Sequence, residues 1–215
     1  MRRKNTLTFS IVARCPKTLA LGVAVSTAVP AVGSVVPHVK VNVGAIATQA
    51  QTNTVYGTDG LLLLEKGEVP QKTLKKLLAA DKDREKRQVI IIDAKGRTAA
   101  FTGKETEDWK GHAIGENCVV AGNMLTGCEV LQAMHDSFKE EKGTLASRLL
   151  TALEAGQEAG GDKRGRLSAA LLVADSRWIG SSRPLLDLRV DAHSDPVAEL
   201  RRVYTVSRGY FHVPE

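Results

Sequence analysis

Two short apolar runs, Thr8-Phe9-Ser10-Ile11-Val12-Ala13 and Leu19-Ala20-Leu21-Gly22-Val23-Ala24-Val25-Ser26, flank the tetrapeptide Cys15-Pro16-Lys17-Thr18. Runs of this length around a turn-forming segment predict a β-hairpin at the head of the domain. Residues 29–40 are broken by proline and glycine and read as a loop with a short helical turn, and residues 41–51 return to strand composition. Residues 56–66 and 70–80 read as helices, the second with Leu74, Leu77 and Leu78 at helical spacing and Pro70 suited to a first turn. The run Gln88-Val89-Ile90-Ile91-Ile92-Asp93, the turn Ala94-Lys95-Gly96 and residues 97–102 form a second hairpin, and a Val-Ile run without polar interruption predicts a strand covered on both faces. Residues 117–123 add a strand. Residues 129–140 and 144–159 carry apolar stripes (Val130, Leu131, Met134, Phe138; Leu145, Leu149, Leu150, Leu153) and are helices. Strands at 168–174 and 185–190 follow, then a helix over 196–210 capped by Asp195. Strands in two groups and helices in two groups suit stacked sheets with helices outside.

Composition narrows this to one domain over 1–215, since 215 residues with 43% hydrophobic content bury a single substantial core. No apolar run has the length to span a bilayer, and Met1-Arg2-Arg3-Lys4-Asn5-Thr6 leads into a strand rather than a signal-peptide core, so a cytoplasmic protein is expected. Cys15, Cys118 and Cys128 form no close pair, which fits reduced thiols and no metal. The net charge of +6 is scattered and aromatic residues are only 4%, which speaks against nucleic acid. An anionic small substrate would also use such charge.

The segments Thr8-Phe9-Ser10-Ile11-Val12-Ala13-Arg14, Gly22-Val23-Ala24-Val25-Ser26, Ala31-Val32-Gly33, Gly44-Ala45-Ile46-Ala47-Thr48-Gln49-Ala50, Tyr56-Gly57, Gly122-Asn123-Met124-Leu125, Gly160-Gly161-Asp162-Lys163-Arg164-Gly165, Ser168-Ala169-Ala170-Leu171 and Asp187-Leu188-Arg189-Val190-Asp191 resemble, in order, the DUF1028 family, assigned to the N-terminal-nucleophile (Ntn) hydrolase superfamily. The resemblance implies an α+β fold, a four-layer αββα sandwich of two mainly antiparallel sheets, and a hydrolase activity whose substrates it does not name; the residues themselves add a small amide, with or without a carboxylate, as the expected substrate. The resemblance implies no cofactor. Two departures stand out: family members often carry a basic residue soon after the serine at position 26, where this chain has Thr27-Ala28-Val29-Pro30, and a glutamine before Ser168, where it has Leu167.

In the Ntn pattern the first residue's hydroxyl attacks and its own α-amine, with a pKa near 8, is the base. Thr8 is the candidate nucleophile, and the extension 1–7 would have to be cleaved between Leu7 and Thr8 to free that amine; the alternative is a β-branched strand residue with no chemical part. Ser26, at the end of the second strand, reads as a hydrogen-bond partner of Thr8, as an internal nucleophile, or as ordinary turn chemistry. Thr48, Gln49, Asn53 and Asn123 stand near strand ends, where their side chains either donate to a developing oxyanion or hold buried backbone. In the glycine-rich motif, Asp162 and Arg164 form either a substrate-carboxylate clamp or an internal ion pair. Asp187, Arg189 and Asp191 share a strand face that either lines a site, with Arg189 as a binding residue, or forms ion pairs at a sheet edge. His193 is a surface or capping residue or the partner of Asp191 in a triad, and His38, His112, His135 and His212 lack metal-ligand spacing. The expected partner is a small-molecule substrate, without membrane or nucleic acid. A sandwich with apolar helical positions such as Leu61 to Leu64 is suited to a homo-oligomer. The rival to the hydrolase is a non-catalytic binding or scaffold protein that keeps the fold.

Overall fold

A computed structural model describes residues 8–177 and 186–211. The extension 1–7, Leu185 at the expected opening of the last strand, and His212 lie outside the described residues. In chain order the elements are β1 (Thr8–Arg14), β2 (Leu21–Thr27), β3 (Pro37–Lys40), β4 (Gly44–Ala50), α1 (Val55–Glu65), α2 (Pro70–Ala80), β5 (Arg87–Asp93), β6 (Thr98–Thr102), β7 (Gly111–Gly115), β8 (Cys118–Asn123), α3 (Glu129–Glu140), α4 (Leu145–Glu158), β9 (Ser168–Ala174), β10 (Leu186–Val190) and α5 (Pro196–Phe211). Strands pair in two sheets, ordered β10-β9-β2-β1-β8-β7 and β3-β4-β5-β6. Every pairing is antiparallel.

The layers follow from the pleat, which sends successive side chains to opposite faces. On β1, Phe9, Ile11 and Ala13 pack with Met134, Phe138, Leu149, Leu153 and Leu200 of α3, α4 and α5. Val12 turns the other way and meets Val23, Val25, Ala45, Ala47, Ile90 and Ile92 between the sheets. Alternate residues of β4 and β5, Ile46, Val89 and Ile91, lie under Tyr56, Leu64, Leu74 and Leu77 of α1 and α2. The fold is thus an α+β, four-layer αββα sandwich, and the Val-Ile run of β5 is covered on both faces as its composition requires. Among the described residues no helix is long and apolar enough to cross a membrane.

Local chemistry explains the helix starts. Thr144 Oγ1 accepts from the Ser147 N–H at 3.2 Å at the head of α4. Pro70 opens α2. The Asp195 carbonyl accepts from the Glu199 N–H, as an N-cap's does, while its carboxylate pairs with Arg166. Gly57 lets α1 lie directly on β3, since a Cβ there would fall 2.1 Å from the His38 ring.

Two strands escape the hydrophobic pattern. β3 lies inside the segment expected as loop, behind the expected helical turn at Val32–Ser34, and β7, bounded by Gly111 and Gly115, is held by pairing with β8. The strand expected from 41 starts at Gly44, because Asn42 takes a left-handed φ of 60° and turns the chain between β3 and β4.

Candidate active site

Six inward-facing tracks between the sheets change character at one end. On β1 it runs Val12, Ser10, Thr8; on β2, Leu21, Val23, Val25, Thr27; on β8, Val119, Ala121, Asn123; on β4, Ala45, Ala47, Gln49; on β5, Ile92, Ile90, Gln88; on β9, Ala170, Ser168. Register brings the polar ends together: Thr8 lies opposite Thr27 on one side and Asn123 on the other, Thr27 opposite Ser168, and Gln49 opposite Gln88. The apolar core between the sheets therefore ends in a buried layer of hydroxyls and carboxamides headed by Thr8.

Hydrogen bonds in this layer cross from sheet to sheet. Ser10 Oγ donates to Gln49 Oε1 at 2.7 Å, and Gln49 Nε2 donates to the Thr8 carbonyl at 3.3 Å and to Gln88 Oε1 at 2.7 Å. Gln88 Oε1 also accepts from Asn123 Nδ2 at 2.9 Å. Gln88 Nε2 donates to Thr102 Oγ1, the Gly111 carbonyl and the Gly122 carbonyl at 2.8–2.9 Å, so its two N–H groups serve three acceptors. Thr8 Oγ1 faces Thr27 Oγ1 at 3.5 Å, long for a pair of hydroxyls. Thr8, Asn123 and Gln88 are all fully buried. Asn123 Oδ1 is buried without a donor among the described residues.

Just past this layer the backbone takes conformations that side chains disfavour, φ 69° at Ala50 after Gln49 and 49° at Met124 after Asn123. Such residues concentrate at functional sites. The rim is made by the glycine-rich motif. The Asp162 carboxylate, fully engaged, accepts from the Ala28 N–H at 3.1 Å, from the Arg164 N–H at 2.9 Å, and from the Arg164 guanidinium through both oxygens at 3.3 and 3.0 Å. Lys163 Nζ donates to the Asp108 carbonyl at 2.8 Å.

Of the residues singled out in the sequence, the fold joins Thr8, Gln49 and Asn123, with Asp162 and Arg164 at the rim as an internal ion pair. Ser26 is not beside Thr8. Its ladder partners are Phe9 and Ala169, so its hydroxyl points to the helical layer, buried and without a partner among the described residues, and Thr27 occupies the place facing Thr8. Asn53 is spent at the head of α1, where its Oδ1 accepts from the Val55 N–H at 3.2 Å and its carbonyl from Thr48 Oγ1 at 3.1 Å. Arg189 lies on edge strand β10, bidentate to Asp191 at 2.9 and 3.1 Å, with its stem over Gly33. His193 Nδ1 accepts from the Asp195 N–H at 3.0 Å, a capping role. Ser10, Thr27 and Gln88 were not singled out, although each ends an apolar track at a spacing of two, a signal the sequence does contain. Among the described residues no cluster of His, Cys, Asp and Glu could hold a metal.

Residues 8–200 match the model of a family of unknown function, DUF1028. Protein SPO2555 from Silicibacter pomeroyi, solved by crystallography and also of DUF1028, is 36% identical, over 94% of this chain and 89% of that one, with a TM-score of 0.87. Anbu, an ancestral β-subunit from Yersinia bercovieri, superposes with a TM-score of 0.41 at 8% identity, over 96% of this chain and 98% of that one. No curated protein matches.

Proposed function

Because the chain belongs to the DUF1028 family, whose function is unknown, its activity has to be read from the polar layer, and we propose that it is an Ntn-type hydrolase of a small amide with Thr8 as nucleophile. The observation that carries this reading is Thr8 at the head of a central strand, on the inward face, with a buried acceptor, Asn123 Oδ1, that has no donor among the described residues, on the residue that pairs with it. The family match also starts at Thr8. In the proposed reaction, hydrolysis of the Leu7–Thr8 bond frees the Thr8 amine, which takes the proton of Oγ1 as the oxygen attacks the substrate carbonyl. Asn123 Oδ1 accepts an N–H of that amine and orients it, and the second N–H of Asn123 Nδ2 is available to the oxyanion. The departing amine receives the proton; water then hydrolyses the Thr8 ester. Arg164 is engaged by Asp162, so the reading keeps the small amide and does not require a carboxylate on it.

Thr27 favours the rival reading of a non-catalytic scaffold, because a neutral hydroxyl stands where a cation assisting the amine would face Thr8. The two part experimentally. A chain beginning at Thr8 should turn over some member of an amide panel, with Thr8→Ala in that chain inactive though folded, and the full-length chain inactive until its mass shows loss of residues 1–7. Equal activity of full-length and trimmed chains excludes the terminal amine as base, and inactivity of both leaves the scaffold.

A further inference from the structure

At the other end of β1, roughly 20 Å from Thr8 at the rise of a strand, a cavity of about 370 Å³ lies between the turns after β1 and β7 and the helices α3 and α4. Its lining includes Glu116, Cys118, His135, Phe138, Lys139 and Arg148. Arg148 is the unusual member. Its guanidinium lies over the Phe138 ring, 4.1 Å from Cζ to centroid, and Nη2 donates to the Phe138 carbonyl at 2.8 Å. Nε is buried with no acceptor, Nη1 makes no hydrogen bond, and no carboxylate lies within ion-pair distance among the described residues. Arg87, Arg97, Arg164, Arg177 and Arg201, by contrast, each have a carboxylate at 3.0 Å or less. A half-buried cation without counter-charge is costly, and an anion would relieve it.

The neighbours fit the same ligand. His135 Nδ1 is held by Asp136, and the ring packs against Gly115, where a Cβ would fall 2.4 Å from Nε2 and 2.9 Å from Cys118 Sγ, so the imidazole keeps its place at the cavity only while position 115 lacks a side chain. Lys139 adds positive charge at the mouth, while Glu116 disfavours a dianion. Phe138 and Pro16 supply apolar wall. The volume is at the small end of ligand sites. We propose that this cavity is a second binding site, independent of the Thr8 chemistry, for a small monocarboxylate with an apolar body, anchored by Arg148.

The test is calorimetric titration of the full-length chain with benzoate at fixed ionic strength, with inorganic phosphate and chloride as comparison anions. Saturable benzoate binding is expected. Arg148→Lys, which keeps charge but loses the planar fork, should weaken it about tenfold, and Arg148→Met should abolish it. Gly115→Ala, whose methyl would displace the His135 ring from the cavity wall with Arg148 intact, should weaken it as well, and this variant decides the matter if Arg148→Met does not fold. Thr8→Ala should bind normally. The proposal is overturned by absence of benzoate binding, by phosphate or chloride binding as tightly as benzoate, or by Gly115→Ala and a folded Arg148→Met binding like the parent.

Discussion

Replacing Gln88 with leucine tests whether the amide layer fastens the two sheets together. The change keeps the size of the side chain and removes one acceptor and two N–H donors. It strands one N–H each of Gln49 and Asn123 and takes a donor from Thr102 Oγ1 and from the Gly111 and Gly122 carbonyls. A buried polar group left unmade costs about 1–3 kcal/mol, and the two orphaned amide donors both lose the acceptor they share. Against this, burying a leucine returns about 1.5–3 kcal/mol. With the carbonyls counted at the low end, the net loss is about 3 kcal/mol, or a fall in Tm of about 6–12 °C for a domain of this size. Urea unfolding should show the midpoint moving with the slope unchanged. A loss under about 1 kcal/mol refutes the reasoning, because the sheets would then be held by the apolar core alone. Gln88→Glu sharpens the test: a buried carboxylate facing acceptors has a raised pKa, so its folded state binds more protons and this variant should regain stability as pH falls.

Three further outcomes are expected. Burial alone would raise the Asp81 pKa, but hydrogen bonds from Arg87 and the Asp83 N–H, with the Arg87 charge, hold it at about 2. That depression contributes on the order of 2 kcal/mol above the unfolded value and is lost as pH falls through the folded one, so the stability gap between parent and Arg87→Met should shrink in acid; a gap constant with pH refutes it. Asp162→Ala should cost about 1–3 kcal/mol, after allowance for the part-exposed Arg164, and speed hydrogen exchange at the Ala28 and Arg164 amides, whereas unchanged exchange there would show the loop is held otherwise. Removal of residues 1–7 should shift Asn123 side-chain amide resonances as its neighbour gains a free amine, and no shift would separate Asn123 from the proposed base.

Most elements could be read from the chain because their apolar periods are long: the stripes of α3 and α4 and the run of β5 admit one reading each. β7 could not, since Gly111-His112-Ala113-Ile114-Gly115 has too few apolar positions and exists through its partner strand. Thr8, Gln49 and Asn123 were legible as strand-end polar residues. Ser26 misled because face depends on register, and a shift of one residue reverses it. That register is set by the turn, where Leu19 takes a left-handed φ of 63°, a backbone detail that composition does not encode. Gln88 needed three-dimensional knowledge of another kind, that the carbonyls of Gly111 and Gly122 converge on it.

The layer around Thr8 is also a proton desert. It is built from hydroxyls and carboxamides, and through Thr102 Oγ1 its hydrogen bonds reach the ring of His112 at 2.9 Å. Burial lowers the His112 pKa, which makes that ring a weaker base than a free imidazole. If Thr8 is the nucleophile, none of the hydroxyls and carboxamides named in this layer is a base, so the proton leaving Oγ1 would go to the freed amine. The proposed terminal-amine mechanism then predicts a rate profile with a single rising limb, its midpoint near the amine's ordinary pKa of about 8, instead of the bell drawn by paired acid and base. A falling second limb below about pH 9 would mean that some group beyond this layer takes part in the chemistry.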